Sequence, residues 1–156
     1  MVGNAGEIYA FEHERQKYLD DGWELISEDE HRYSFSKDGQ KAEIYRPDSG
    51  KHHQKGWDIR ISEWDQENDS QNPDRERLIE VKTHTTNSVM YGIIPLSRTQ
   101  MRLALSYGTN YIVYMVDYDT KQKRAIGLSE YPDIPREIVD GKVSLTEDRY
   151  LLRIVG

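Results

Sequence analysis

Polar and apolar residues alternate in two short runs near the middle of the chain, Gly56–Ile61 and Arg77–Lys82. Side chains along a β-strand point to opposite faces in turn, so this pattern predicts two strands. The stretch between them, Glu63–Glu76, is polar and has no periodicity, which is typical of a long exposed hairpin loop. The rest of the chain is interpreted around these two strands.

Charged side chains collect on one face of each predicted strand. Asp58 and Arg60 share a face of the first strand, and Glu80 and Lys82 share a face of the second. Two carboxylates and a lysine that converge at one end of a sheet can hold a divalent cation beside a phosphate. The opposite faces would carry the apolar residues, which are Trp57, Ile59 and Ile61 in the first strand and Ile79 and Val81 in the second.

Apolar residues at helical spacing predict a first helix over Ala5–Leu19. Asn4 is expected to cap this helix, because its side chain can accept a hydrogen bond from a backbone N–H group of the first turn. Glu7 would then lie in the first turn, where an acidic side chain favours the positive end of the helix.

A second helix is predicted to begin after Ser97 or Thr99 and to run to about residue 107. Either hydroxyl can cap it, and Gly108 is expected to end it. The residues predicted to face inward are Met101, Leu103, Ala104 and Leu105.

Further strands are predicted on both sides of the central pair. Asp38-Gly39 predicts a hairpin turn, and Tyr111–Tyr118, nearly apolar on both faces, predicts a buried central strand. Tyr131–Asp140 is predicted to be irregular. The element order indicates a single-domain α/β fold in which helices pack against a sheet. The remaining predicted strands are Trp23–Ser27, His31–Ser36, Lys41–Tyr45, Val89–Leu96, Arg124–Leu128 and Tyr150–Val155.

Charge and cysteine usage narrow the function classes. The 156 residues carry a net charge of −7 and no cysteine, which excludes disulfides and thiolate metal sites. The acidic balance argues against binding through a broad basic surface, and suits a module that a partner protein or a fused domain delivers to its substrate. No apolar stretch approaches the ~20 residues of a membrane-spanning helix, so no segment is expected to cross a membrane. The absence of cysteine makes a cytoplasmic protein the expectation.

The pattern acid-x-Lys is common and needs a context. It occurs at Glu80/Lys82, at Asp119/Lys121 and at Asp140/Lys142, and the last two lie in predicted turns. Only Glu80/Lys82 lies in an apolar strand that follows another strand with an acidic residue in phase. The alternative is an antiparallel sheet with a solvated outer face, on which these charges form surface ion pairs across strands.

Five short motifs occur in the order found in a known family. The motifs are Gly3–Glu7 (GNAGE), Gly56–Ile59 (GWDI), Ile79–Thr83 (IEVKT), Leu96–Gln100 (LSRTQ) and the tyrosine-rich strand Tyr111–Tyr118. With these motifs the chain resembles the PD-(D/E)XK nuclease superfamily and, within it, the domain found at the C-terminus of plant NO VEIN-like proteins and in many bacterial proteins. The likeness runs from Gly3 to about Tyr118, and the tail after it is poorly covered.

The resemblance implies a restriction-endonuclease-like mixed β-sheet flanked by helices, with a core over about residues 3–118 and an extension over 119–156. It implies that Asp58 and Glu80 bind Mg²⁺ or Mn²⁺, with the backbone carbonyl of Val81 as a further ligand. Lys82 would orient the attacking water or stabilise charge on the phosphate. Glu7 would be an additional acid of the site, and Gln100 would contact phosphate or the lysine.

Several of these residues have ordinary structural interpretations that stay open. Glu7 can be a favourable helix-terminus charge, and Gln100 a polar residue at a helix start. His84 can touch substrate or be an exposed loop histidine. His52 and His53 lack a third nitrogen or sulfur ligand, which argues against a transition-metal site. With Lys51, Lys55 and Arg60 they are expected to form a small basic patch beside Asp58 that can bind phosphate.

The expected activity is metal-dependent hydrolysis of a nucleic-acid phosphodiester, of the endonuclease type used in DNA repair, restriction or defence. The expected partner is nucleic acid, with DNA favoured and RNA left open. The main alternative is a non-catalytic module that keeps a nuclease fold and binds nucleic acid or protein. The sequence leaves the oligomeric state open, a dimer included.

Overall fold

A seven-stranded β-sheet forms the centre of the computed structural model, which describes residues 2–48, 55–86, 93–145 and 151–155. Three helices and a small three-stranded sheet pack around it. The helices are α1 (Val2–Asp20), α2 (Arg98–Tyr107) and α3 (Ile134–Val139), and a 3₁₀ turn covers Gly108–Asn110. The strands are β1 (Glu24–Glu28), β2 (Arg32–Lys37), β3 (Gln40–Tyr45), β4 (Ile59–Trp64), β5 (Arg75–Thr85), β6 (Ile93–Pro95), β7 (Tyr111–Asp119), β8 (Arg124–Pro132), β9 (Val143–Leu145) and β10 (Leu151–Ile154).

The large sheet has the strand order β1-β2-β3-β4-β5-β7-β8. Strands β1 to β5 form an antiparallel meander, β5 and β7 run parallel, and β8 pairs antiparallel with β7. A parallel pair needs a long crossover connection, and the segment between β5 and β7, which contains α2, supplies it. The prediction of a mixed α/β fold with flanking helices is therefore confirmed.

The structure contains both hairpins that the sequence predicts, β2–β3 and β4–β5. Lys37 pairs with Gln40, and the two residues between them have positive φ, 49° at Asp38 and 80° at Gly39. This backbone matches the two-residue turn that suits the twist of a hairpin. The polar stretch between β4 and β5 is a loop over residues 65–74, as expected.

The sheet is covered on both faces, each by its own apolar cluster. One cluster packs α1 against the sheet, and its members include Ala10, Phe11, Ile59, Ile61, Ile79 and Val81. The other packs α2 and α3 against the opposite face, and its members include Trp57, Leu78, Met101, Ala104, Val113 and Ile134. Strand β7 contributes to both clusters, so the prediction of a buried central strand is confirmed.

The start of α1 differs from the prediction. The helix begins at Val2, so Asn4 lies inside it and Glu7 lies beyond the first turn. The side-chain oxygen of Asn4 accepts a hydrogen bond from Arg46 at 3.5 Å instead of capping the helix. The N-terminal end of α1 is therefore stabilised by packing against the sheet, and not by the predicted Asn4 cap.

Four further predictions need correction or cannot be followed. Trp57 packs in the α2 cluster and not with Ile59, because β4 begins only at Ile59 and the alternation does not extend as far as Trp57. Leu105 is 66% exposed, on the outer side of α2. The segment predicted to be irregular, Tyr131–Asp140, contains α3, which Asp133 caps through its side chain. The predicted strand Val89–Leu96 lies partly outside the described residues.

Helix α1 approaches β5 closely at Gly6. A Cβ atom at this position would lie 1.7 Å from Oγ1 of Thr83, so only glycine fits. Thr83 directly follows Lys82, and the contact therefore sets the position of α1 against the strand that carries the predicted site. Gly3, one turn earlier in the same helix, has no heavy atom within 4 Å of its Cβ position.

We expect Gly6→Ala to destabilise the protein by about 1–3 kcal/mol, because the added methyl group forces α1 away from β5. Gly3→Ala is the matched control, and we expect it to be neutral or stabilising by up to about 1 kcal/mol, since alanine favours a helix over glycine. Urea unfolding followed by circular dichroism measures both. Equal effects of the two substitutions would contradict the close approach at Gly6.

Candidate functional site

Asp58 lies directly before β4, in a chain segment that a glycine positions. Gly56 has a φ of 78°, and a Cβ there would lie 2.9 Å from a methyl carbon of Leu103 in α2. Its carbonyl oxygen accepts a hydrogen bond of 2.8 Å from the buried hydroxyl of Tyr111. The glycine therefore lets the backbone turn under α2 and enter β4 three residues later.

Two hydrogen bonds tie Asp58 to β5 just before the β4–β5 ladder begins. Its backbone N–H donates to the carbonyl of Ile79 at 2.8 Å, and its Oδ2 accepts from the N–H of Val81 at 2.7 Å. Ile59 pairs with Ile79, so the next position of the same register sets Asp58 opposite Glu80. The structure thus brings together the two carboxylates that the alternation predicted on one face.

Glu80, Lys82 and Gln100 form one hydrogen-bonded group. The Nζ atom of Lys82 lies 2.9 Å from Oε1 of Glu80 and donates to Oε1 of Gln100 at 3.2 Å. The amide nitrogen of Gln100 donates to Oε1 of Glu80 at 2.6 Å. One carboxylate oxygen therefore receives hydrogen bonds from both neighbours, and the lysine is fixed between two acceptors.

The first turn of α2 explains why Gln100 reaches this group. Ser97 caps the helix by accepting from the backbone N–H of Gln100 at 3.1 Å, and its own N–H donates to Oε1 of Gln100 at 2.8 Å. This reciprocal capping box satisfies two N–H groups of the helix terminus and fixes the glutamine side chain. Gln100 is thus both the helix-start residue and a contact of the lysine, the two roles that the sequence left open.

The acid–lysine group lies beneath α2 and not on a solvated surface. Glu80 is 5% exposed, and it shares a face of β5 with Leu78, which packs in the α2 cluster. The side chain of Lys82 is 20% exposed. The alternative interpretation of Glu80 and Lys82 as surface ion pairs on an open outer face is therefore wrong.

The pKa of Glu80 is raised from its usual 4.5 to about 7, and burial is the largest cause. The negative charge of Asp58 and a hydrogen bond with its side chain act in the same direction, while the Lys82 ammonium opposes them. A carboxyl group that is ionised only near neutral pH is unusual for a structural ion pair. The fold therefore holds the carboxyl groups of Asp58 and Glu80 in contact, although this contact disfavours the ionised form of Glu80.

Glu7 approaches the same end of the sheet from the opposite face. Its Oε2 lies 3.9 Å from Arg46, which directly follows β3, and its side chain is 15% exposed. Arg46 also stacks over the ring of Phe11 at 5.6 Å, in the cluster beneath α1. Glu7 thus lies near the end of β3, at helical spacing from the buried residues Phe11 and Glu14 of α1.

His84 differs from the expectation of an exposed loop residue. It belongs to β5, its side chain is 10% exposed, and its Nε2 lies 2.9 Å from Oδ1 of Asp117. The two residues are direct neighbours in the parallel β5–β7 ladder, a register that the sequence alone does not specify. The predicted patch residues Lys51, His52 and His53 lie outside the described residues.

A second acidic cluster was not predicted from the sequence. His13, Glu14 and Glu130 have ligand atoms within 4.8 Å of one another, on α1 and β8. The ammonium of Lys17 lies 3.1 Å from Glu14 and 3.3 Å from Glu130, so a cation of the chain itself already balances these acids. Helical spacing places His13, Glu14 and Lys17 together, but their approach to Glu130 depends on tertiary packing.

Residues 6–127 match the family model described as "Protein NO VEIN, C-terminal". The chain belongs to this family. The match includes all five residues of the predicted site, which are Glu7, Asp58, Glu80, Lys82 and Gln100. No curated protein and no solved structure matches the chain. Among the residues described, no helix has both the length and the apolar character needed to cross a membrane.

The donor atoms of this NO VEIN C-terminal domain suit a hard divalent cation. Mg²⁺ and Mn²⁺ take oxygen ligands, and Asp58 and Glu80 present carboxylate oxygens side by side. A cation between them would favour the ionised form of Glu80, which burial and Asp58 disfavour. The raised pKa is therefore the observation of this structure that fits a metal site.

We expect Glu80→Gln to stabilise the metal-free protein at pH 8, by at most about 3 kcal/mol, because the neutral amide removes a buried carboxylate beside Asp58. The folded protein holds the Glu80 proton more tightly than the unfolded chain, so this contribution to stability is present below about pH 4.5 and is lost as the pH rises through about 7. The difference between variant and wild type should therefore grow over that range and then level off. Chemical unfolding in EDTA at a series of pH values measures it.

The same variant should respond differently to metal. Mn²⁺ at about 100 times its Kd is expected to stabilise the wild type by about 2.7 kcal/mol and Glu80→Gln by much less. A variant that is less stable than wild type in EDTA at every pH would show that Glu80 is a stabilising ion-pair partner of Lys82.

Proposed function

We propose that this domain is a divalent-metal-dependent phosphodiesterase that cleaves nucleic acid, a nuclease of the PD-(D/E)XK type. The observation that carries the proposal is the buried contact between Asp58 and Glu80 with the Lys82 ammonium 2.9 Å from Glu80. Folding alone gives no reason to place two carboxylates together where one of them resists ionisation. A site for a cation and a phosphate gives such a reason.

Asp58 and Glu80 would hold Mg²⁺ or Mn²⁺, and the backbone carbonyl of Val81 would be a third ligand. In a strand, the N–H and C=O groups of one residue point to the same side. The N–H of Val81 points to Asp58, and its carbonyl therefore also faces the side where Asp58 lies. When bound, such a cation supplies a hydroxide-like nucleophile near neutral pH and neutralises charge on the phosphate.

Lys82 is the residue proposed to act on the phosphate itself. Its ammonium is held by Glu80 and Gln100 and remains partly exposed, so it can donate a hydrogen bond to a phosphate oxygen as negative charge grows there. Gln100 positions the lysine and the glutamate through its two amide atoms. Glu7 is proposed as an additional acid that reaches the site from α1.

DNA is the substrate that we propose, in a cytoplasmic setting and with a partner protein or fused domain that delivers the domain to it. The net charge of −7 favours delivery, because such a chain has little non-specific attraction for phosphates. The same charge favours the second candidate function, a non-catalytic interaction module that keeps the fold. The two candidates differ in whether Lys82 is required for cleavage or only for structure.

We expect Lys82→Ala to reduce cleavage of labelled DNA in Mn²⁺ by at least about a hundredfold, because it removes a charge placed for the transition state. Lys142→Ala is the matched control. Lys142 stands in the same acid-x-Lys pattern with Asp140, but its side chain is 63% exposed and lies near Glu137. The control should cleave as wild type does.

A panel of single-stranded, double-stranded and branched DNA and of RNA, with products separated on gels, measures these rates. Circular dichroism establishes that both variants are folded. Equal cleavage by Lys82→Ala and wild type would overturn the assignment of Lys82. The absence of metal-dependent cleavage by folded wild-type protein on every substrate would favour the interaction module.

A further inference from the structure

Cationic and aromatic side chains alternate in a row beside Asp58. The guanidinium carbon of Arg60 lies 5.2 Å from the ring centre of Tyr45 and 5.6 Å from that of Trp57. Arg32 lies 4.6 Å from the ring centre of Tyr45, and the ammonium of Lys55 lies 5.5 Å from that of Trp57. We define the cation–aromatic row by these residues, which are Arg32, Tyr45, Arg60, Trp57 and Lys55.

Strand pairing places this row on one face of the sheet. Arg32 pairs with Tyr45 in the β2–β3 ladder, and Tyr45 pairs with Arg60 in the β3–β4 ladder, so the three side chains share a face. Arg60 follows Asp58 by two residues along the chain, a spacing of about 6.8 Å in a strand. The row therefore runs from the outer strands to the Asp58–Glu80 contact.

Arg60 lies in the middle of the row and forms no ion pair within the part of the chain that the structure describes. Among the described residues, no carboxylate pairs with Arg60 and no hydrogen-bond acceptor meets its buried Nε. Arg32, at the far end, differs because it pairs with Glu43 at 3.2 Å. A guanidinium that lies against two rings and pairs with none of the described carboxylates is available for an external anion.

Packing makes Arg60 suited to a phosphate. Its packing against the rings of Tyr45 and Trp57 restrains a planar group of N–H donors, so little side-chain freedom would be lost on binding. Trp57 is 8% exposed, which leaves its ring to hold the cations and not to stack on a base. Lys55 and Arg32 are exposed at the two ends of the row.

We propose that Arg60 binds a backbone phosphate of a DNA strand next to the phosphate at the Asp58–Glu80 contact, and that the strand follows the cation–aromatic row. This inference rests on the proposed nuclease function and names how its substrate is held. Arg60 is a binding residue that positions the strand, and it takes no part in the bond cleavage. The cation–aromatic row is expected to contact the phosphates of the DNA backbone and not the bases, since its donors are guanidinium and ammonium groups.

Binding of fluorescein-labelled single-stranded DNA, followed by anisotropy in Ca²⁺, tests the proposal without requiring cleavage. Ca²⁺ also takes oxygen ligands and can occupy a site of this kind. We expect Arg60→Gln to weaken binding about tenfold and to reduce the slope of log affinity against log salt concentration by about 1, as the loss of one phosphate contact does. Arg60→Lys should recover part of the affinity because it restores the charge.

Arg75→Gln is the matched control, since it removes the same charge from the same sheet. Arg75 is 51% exposed and pairs with Glu63 at 3.0 Å and Asp65 at 2.9 Å, away from the row. Arg75→Gln should leave the DNA affinity and its salt dependence the same as in the wild type. Lys55→Gln changes an exposed side chain, should weaken binding in the same direction as Arg60→Gln, and serves if Arg60→Gln fails to fold.

The outcomes separate this inference from the proposed reaction. Equal effects of Arg60→Gln and Arg75→Gln, or no DNA binding by wild type, would overturn the binding surface. Cleavage that persists unchanged in Arg60→Gln would overturn it as well while leaving the nuclease function intact. Binding that depends on Arg60 in a protein without cleavage would overturn the reaction and keep the surface. Tighter binding of RNA of the same sequence would contradict the assignment to DNA.

Discussion

The contact between the carboxyl groups of Asp58 and Glu80 is the constraint on which the site depends. Burial beneath α2 and the neighbouring acid raise the pKa of Glu80 to about 7, so the ionised pair is unfavourable in the protein by itself. Hydrogen bonds from Lys82, Gln100 and the backbone offset part of this cost. A cation would offset more of it, and such strained groups are concentrated at functional sites.

The rest of the fold holds that contact in place from three directions. The β4–β5 register sets Asp58 opposite Glu80, and the capping box of α2 presents Gln100 to both Glu80 and Lys82. Glycines allow two close approaches, at Gly56 beneath α2 and at Gly6 against β5. Gly6 and Gly56 both lie within the family match, and substitutions at these two glycines would shift the site without changing its charges.

Sequence patterns predicted the helices and strands better than the way in which these elements pack against one another. Alternation and the Asp-Gly turn were sufficient to predict the strands β2 to β5 and the shared face of Glu80 and Lys82, because both signals are local. The helix over Glu80, the partner of His84 and the stacking of Arg60 on Tyr45 depend on which strands lie side by side. Local rules failed at the start of α1 and at Trp57, where tertiary contacts outweigh capping and alternation.

Calorimetric titration of the wild-type protein with Mn²⁺, in buffers of different ionisation enthalpy, tests the metal site most directly. Because Glu80 must lose its proton to bind the cation, we predict release of nearly one proton per ion at about pH 6 and of almost none at about pH 8.5. Glu80→Gln should bind weakly and release no proton. Absence of binding by wild type, or binding with no proton release at either pH, would contradict the claim that Asp58 and Glu80 form a divalent-cation site.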